Sequence, residues 1–281
     1  MVTMAKYEKR IKELKEYRLT RGAKQEDDFF DTLMHNLLLN LSKRNNKIHG
    51  QLKAYKAAGK PADDDLRIDI GNYICGLVTC WETFFMEMFI FLCNNDRVIK
   101  AIFEQKHDGE DLQGLTIGEY AAIQYSFQNL ERTRQAFDLA FGKTTTKFTE
   151  HLDVNLFSNM AFTSQLRLMS WVSDPAYLTL INVALETAFE TRHKFTHDAN
   201  YTINLETEML ANIEEIFQIL PQLFMHNIAI RYNLSRTVFH TVHFYLRKTD
   251  QPEDAEKSYI FSAAEFMARN WQVINLETKK F

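Results

Sequence analysis

From Leu66 to Leu92 the apolar side chains return every three or four positions, and this run constrains the chain more than any other. Leu66, Ile70, Tyr73, Ile74, Leu77, Val78, Trp81, Phe84, Phe85, Met88, Phe89 and Leu92 keep that rhythm for about seven helical turns. A strand would throw successive side chains to opposite faces and scatter this set, whereas a helix gathers it into one broad stripe. A stripe that long needs other helices to cover it. Only 9 Gly and 4 Pro punctuate 281 residues, while 22 Phe and 10 Met supply large, deformable core volume. With no alternating strand pattern and no internal repeat, the reading is an all-α protein.

The other elements follow the same logic. Residues 5–21 read as a basic helix with a narrow stripe of Tyr7, Ile11 and Leu14, able to dock on the body or on a second subunit. Residues 26–57 form a second helix that buries Phe29, Phe30, Leu33, Met34, Leu37 and Leu38. Gly59–Asp65 is a turn whose acidic end suits the N-terminus of the long helix at 65–93. Residues 107–116 read as a polar loop, Thr116–Phe141 as helix and Gly142–Asn159 as a connector. A short helix is expected at 160–172, and Asp174-Pro175 starts the next. Thr202–Ile230 is amphipathic, with Pro221 expected to kink or end it. His226–Leu246 and Glu256–Trp271 read as two more helices. The resulting division is a basic arm (1–24), a helical body (25–230) and a helical C-terminal extension (231–281).

A net charge of −4 exerts no global pull on nucleic acid, so any RNA contact must come from local basic patches. Cys75, Cys80 and Cys93 lack C-x-x-C spacing and read as small core residues in a reducing cytosol. Residues 5–24 are charged throughout, unlike a signal peptide. The apolar run Phe84–Cys93 is interrupted by Glu87 and is too short to span a bilayer. These features predict a soluble cytoplasmic protein with no membrane partner.

The chemistry concentrates in Phe189–Tyr201, FETRHKFTHDANY. Leu185, Ala188 and Phe189 form an inward stripe that Arg192 continues at helical spacing. A guanidinium on such a face requires a carboxylate, a wet cleft or an anion, because a lone buried charge is costly. His197 follows five positions later, about 140° around a helix from Arg192. For both to serve one small site, the helix must bend or end between them, or the pair must straddle a groove. Asp198 and Asn200, both turn formers, favour a break there. Arg44–His49 and Arg236–His243 offer similar spacings.

RHKFTH, preceded by an apolar helix and followed by D-A-N-Y, resembles the signature of the HEPN superfamily: Arg, a polar residue, a mostly apolar stretch, then His. The segment Gly76–Phe85, containing Trp81-Glu82-Thr83-Phe84, resembles the W-E-x-F helix of several bacterial HEPN groups, and the order of the two motifs also fits. The similarity covers roughly residues 66–230. Thr196 stands where an aliphatic residue is common, and the insert between the motifs is long. The resemblance implies a HEPN-like helical bundle at 25–230 with additional N-terminal and C-terminal helices.

It also implies an endoribonuclease that uses no metal or other cofactor. The ribose 2′-hydroxyl attacks the adjacent phosphate, leaving a 2′,3′-cyclic phosphate and a 5′-hydroxyl. Imidazole suits the proton transfer, with a reference pKa of about 6.5. A guanidinium suits the crowded anionic phosphorane. His197 is therefore assigned to proton transfer, Arg192 to phosphate binding, and His193 to orienting the phosphate or His197. Glu82 is the candidate support for Arg192, and Asp198 supports the turn. Because family members pair two such sets in a shared cleft, a homodimer is expected. The implied partners are RNA, a second copy, and a cognate antitoxin or other partner protein in defence or toxin–antitoxin settings. Alternative readings are a non-catalytic HEPN module that binds nucleotide or RNA, and a helical interaction scaffold.

Other constellations are weaker. Gly142-Lys143-Thr144 resembles the end of a phosphate-binding loop, but Phe137 occupies the position of its first glycine. His240, His243 and His226 lack a Cys, Asp or Glu nearby to complete a metal set. Glu214 and Glu215 read as solvated carboxylates.

Overall fold

The computed structural model describes residues 4–21, 26–59, 63–152 and 175–231. All of its regular structure is helical, and no strand occurs among the described residues. In chain order the helices are α1 (Met4–Arg21), α2 (Glu26–Ala57), α3 (Asp64–Asn95), α4 (Arg97–Lys106), α5 (Ile117–Ile123), α6 (Leu130–Phe141), a 3-10 turn (Phe148–His151), α7 (Pro175–His197) and α8 (Thr207–Arg231). The short helix expected at 160–172 and the extension beyond Arg231 lie outside the described residues.

Two compact units emerge. The first comprises the described residues of Met1–Leu33 with Glu82–His151, and the second Met34–Trp81 with those from Leu152 onward. Both α2 and α3 contribute a segment to each unit.

In the first unit the apolar residues of α3 meet an aromatic core. Phe85 stands edge-on to Phe148 at 5.0 Å, and Phe89 edge-on to Phe103 at 5.4 Å and Phe137 at 5.8 Å. These are the arrangements that ring quadrupoles prefer. The stripe of α1 docks on this body: Ile11 and Leu14 are buried with Leu115, Tyr120 and Ile123. Arg10 fixes the contact by donating from Nη1 to the Ile123 carbonyl at 2.9 Å.

Helix ends in this unit follow local chemistry. Asp96 caps α4 by accepting from the amides of Val98 and Ile99. Thr116 and Glu119 form a reciprocal capping box at α5. The stretch expected as one helix from Thr116 to Phe141 is two, α5 and α6, because Asn129 caps a new start by accepting from the Arg132 amide. Gly142 adopts φ 60° as the left-handed C-cap of α6, which gives the Gly-Lys-Thr tripeptide a structural role.

Glu87 of α3 is partly buried in this unit, and burial pushes its carboxyl up to about 8. A raised acid holds its proton when folded and loses it when unfolded. Stability should therefore fall as pH rises from the ordinary carboxylate range through about 8. Glu87→Gln should flatten that slope and gain on the order of a few kcal/mol at alkaline pH, read from urea unfolding at pH 5 and pH 9.

The second unit is built on the N-terminal half of α3. Leu66, Ile70, Ile74, Leu77 and Trp81 are fully buried, with Trp81 edge-on to Phe189 of α7 at 5.7 Å and tilted to Phe217 of α8 at 5.6 Å. α7 and α8 pack on each other. Of the two outcomes expected at Pro221, an end to the helix is not what occurs: α8 continues through it. Leu220, Leu223 and Phe224 around it are buried, and that packing outweighs the hydrogen bond proline cannot make. By length and composition α3 could also cross a membrane, unlike the shorter run judged from sequence. Its largest side chains, Trp81, Phe84, Phe85 and Phe89, are instead covered by protein.

Candidate functional site

The end of α7 carries the Arg–His segment. Its inward face is set by Ile181, Ala184, Leu185 and Ala188, all at most 1% exposed, followed by the buried Phe189 and Thr191. Arg192 comes next and is half-buried, as its place in the stripe predicts. Its charge reaches Cys75 of α3, where it lowers a thiol that burial pushes up.

One turn on, Phe195 lies against α3 at Gly71. A Cβ on Gly71 would sit 2.3 Å from Phe195 Cε2, so only glycine admits this approach. Gly71→Ala gains helix propensity but forces the ring aside. It should cost about 1–3 kcal/mol, and a urea titration would reveal the loss as a lower midpoint.

The helix does not end between the two residues. α7 runs without interruption through His197, so Arg192 and His197 leave it on faces about 140° apart. Asp198 marks the end just beyond. Its amide donates to the Lys194 carbonyl at 2.8 Å and its own carbonyl accepts from Tyr201, while its carboxylate accepts from the Asn200 amide at 2.9 Å. The turn formers thus act after the histidine, not before it.

His197 has a different neighbour. His193, one turn back, shares its exposed face, and the two ring centroids stand 4.8 Å apart. Thr196, the departure from the aliphatic pattern, donates its hydroxyl to the carbonyls of Arg192 at 2.8 Å and His193 at 3.1 Å. Lys194 is tied to Glu190 at 2.6 Å and lies over the Tyr201 ring. The segment therefore offers two adjacent exposed imidazoles and a half-buried guanidinium on another face.

Glu82, the candidate support for Arg192, belongs to the first unit. It is partly buried and accepts a hydrogen bond from Gln128 Nε2 at 2.5 Å.

Sequence reasoning missed a buried polar cluster in the second unit. His49 Nε2 lies 2.8 and 3.0 Å from the two carboxylate oxygens of Glu214, and Glu214 is only 1% exposed. The expectation of a solvated Glu214 is thus corrected. Burial and the neighbouring Glu214 carboxylate push the Tyr73 hydroxyl well above its ordinary range, and Tyr73 donates to Asn45 Oδ1 at 2.8 Å. Of the rival Arg44–His49 pair, Arg44 lies over Gly76 and donates to the Asn40 carbonyl. That leaves His49 to Glu214. Arg236–His243 lies outside the described residues, as does His240.

Among the described residues no group of three or more His, Cys, Asp and Glu side chains is placed to hold a metal ion. Comparison with family models, curated proteins and solved structures finds no match for the chain.

Proposed function

We propose that the chain is a metal-independent endoribonuclease of HEPN type, acting as a homodimer. The observation that carries the reading is the exposed His193–His197 pair at 4.8 Å, directly following the half-buried Arg192 in the same helix. Cleavage by 2′-hydroxyl attack moves two protons, one off the nucleophile and one onto the departing 5′-oxygen. Two imidazoles on one face can serve as base and acid. His197 is assigned to one transfer, and His193 to the other or to orienting the phosphate. Arg192 would neutralise the phosphorane.

The continuous helix bears on the dimer. With Arg192 and His197 on different faces, one copy of α7 is poorly arranged to grip a single phosphate from both sides. Two copies related by a two-fold axis would place the guanidinium of one beside the imidazoles of the other. Asp198 would hold the turn that ends the segment. The fold alone does not assign an activity, so the proposal rests on these residues.

The test incubates the purified chain and its His197→Ala form with total RNA in EDTA and identifies fragment ends. Cleavage by the parent alone, leaving cyclic phosphate and 5′-hydroxyl ends, is the expected result. RNA binding without cleavage would favour a non-catalytic binding module, and the absence of both binding and cleavage would favour an interaction scaffold.

A further inference from the structure

The geometry points to a second use for the exposed face of α7: His193 and His197 form a two-imidazole chelate for a divalent transition-metal ion, Cu²⁺ or Ni²⁺ before Zn²⁺. The spacing is the first argument. Histidines at i and i+4 on a helix project side by side and can share one ion. A metal–nitrogen bond of about 2.0–2.1 Å places each ring centroid roughly 3.2 Å from the ion. Rings whose centroids are 4.8 Å apart then subtend about 100° at the metal, between the square-planar and tetrahedral values.

Electrostatics and availability support the same site. Both histidines lie in the last turns of α7, where the negative end of the helix dipole favours a cation. Both rings are exposed, and each has only the other as its ring partner among the described residues. The intervening Lys194 is held by Glu190 at 2.6 Å, which offsets its repulsion of an incoming ion. No third donor is gathered there among the described residues, so water would fill the remaining positions. With so few protein ligands, the order of affinity should follow the intrinsic preference of imidazole, with copper tightest. Mg²⁺, which takes oxygen ligands, should not bind.

The inference does not require that the chain cleave RNA. If it does, a bound ion would occupy the same imidazoles and inhibit the reaction.

The full-length chain, free of any histidine tag, would be titrated with Cu²⁺ by calorimetry, without RNA. Nitrogen coordination would be read from the electron spin resonance of the bound ion. The expected result is one site showing two coordinated imidazoles. Affinity should fall at least tenfold in His193→Ala and in His197→Ala, with the helical circular dichroism of the parent retained. A variant carrying His226→Ala, His240→Ala and His243→Ala should keep the site. Unchanged affinity in the His193→Ala/His197→Ala double variant, or loss of the site in the triple variant alone, would overturn the inference. Because no RNA is present, that outcome would leave the ribonuclease proposal standing, and failure to cleave RNA would leave the metal site standing.

Discussion

Glu214→Ala is expected to lower the stability of the chain by about 3–5 kcal/mol. The carboxylate is 1% exposed and its partner His49 is 7% exposed, so truncation takes a charged hydrogen-bond partner away from a buried ring. The same change removes the charged neighbour of Tyr73. Glu214→Gln keeps an acceptor of similar shape and should cost less, about 1–2 kcal/mol. Replacing both His49 and Glu214 with leucine should recover much of the loss, because a buried polar pair is often no more stable than a well-packed apolar one. Urea unfolding of the two single leucine variants and the double would give the coupling directly. Additive single costs would contradict a direct pair.

The second large effect concerns cleavage. If His197 transfers a proton, His197→Ala should reduce the rate about 10²–10⁴-fold. Arg192→Ala should lose about 10²–10³-fold through the phosphorane charge. His193→Ala should approach the His197→Ala value if the rings act as acid and base, and the double variant should be little worse than either single. His193 and His197 are exposed at the end of α7, so their truncation should change stability by no more than about 0.5 kcal/mol. Arg192 is half-buried, so Arg192→Lys is the better control for its packing. A single-turnover assay with a melting curve on each variant would separate chemistry from folding.

Much of the architecture was legible because it is local. The stripe from Leu66 to Leu92 predicts a helix at 65–93, and α3 spans Asp64–Asn95; the helix expected at 26–57 coincides with α2. Errors arose where tertiary packing or a single cap overruled the pattern. Pro221 does not end α8, where the residues around it are buried, and Asn129 divides what periodicity had joined. α4 went unread, although Asp96 before Arg97 is an ordinary N-cap signal.

The site was legible in part. Five-residue spacing gave the correct angular problem for Arg192 and His197, but not how the helix meets it. Phe195 settles that point by lying on Gly71, 124 positions earlier in sequence, and such distant contacts leave no local signature. His49 and Glu214 are separated by 165 positions. The adjacent Glu214-Glu215 therefore looked like a solvated pair, with nothing nearby to correct the impression.

The mechanism can be tested most directly with a short oligonucleotide containing one ribose in an otherwise 2′-deoxy strand, incubated with the chain in EDTA. A single cut immediately 3′ of that ribose is expected, leaving a 2′,3′-cyclic phosphate, with no cut in the all-deoxy strand and none by His197→Ala. Cleavage of the all-deoxy strand, or cleavage that persists unchanged in His197→Ala, would contradict it.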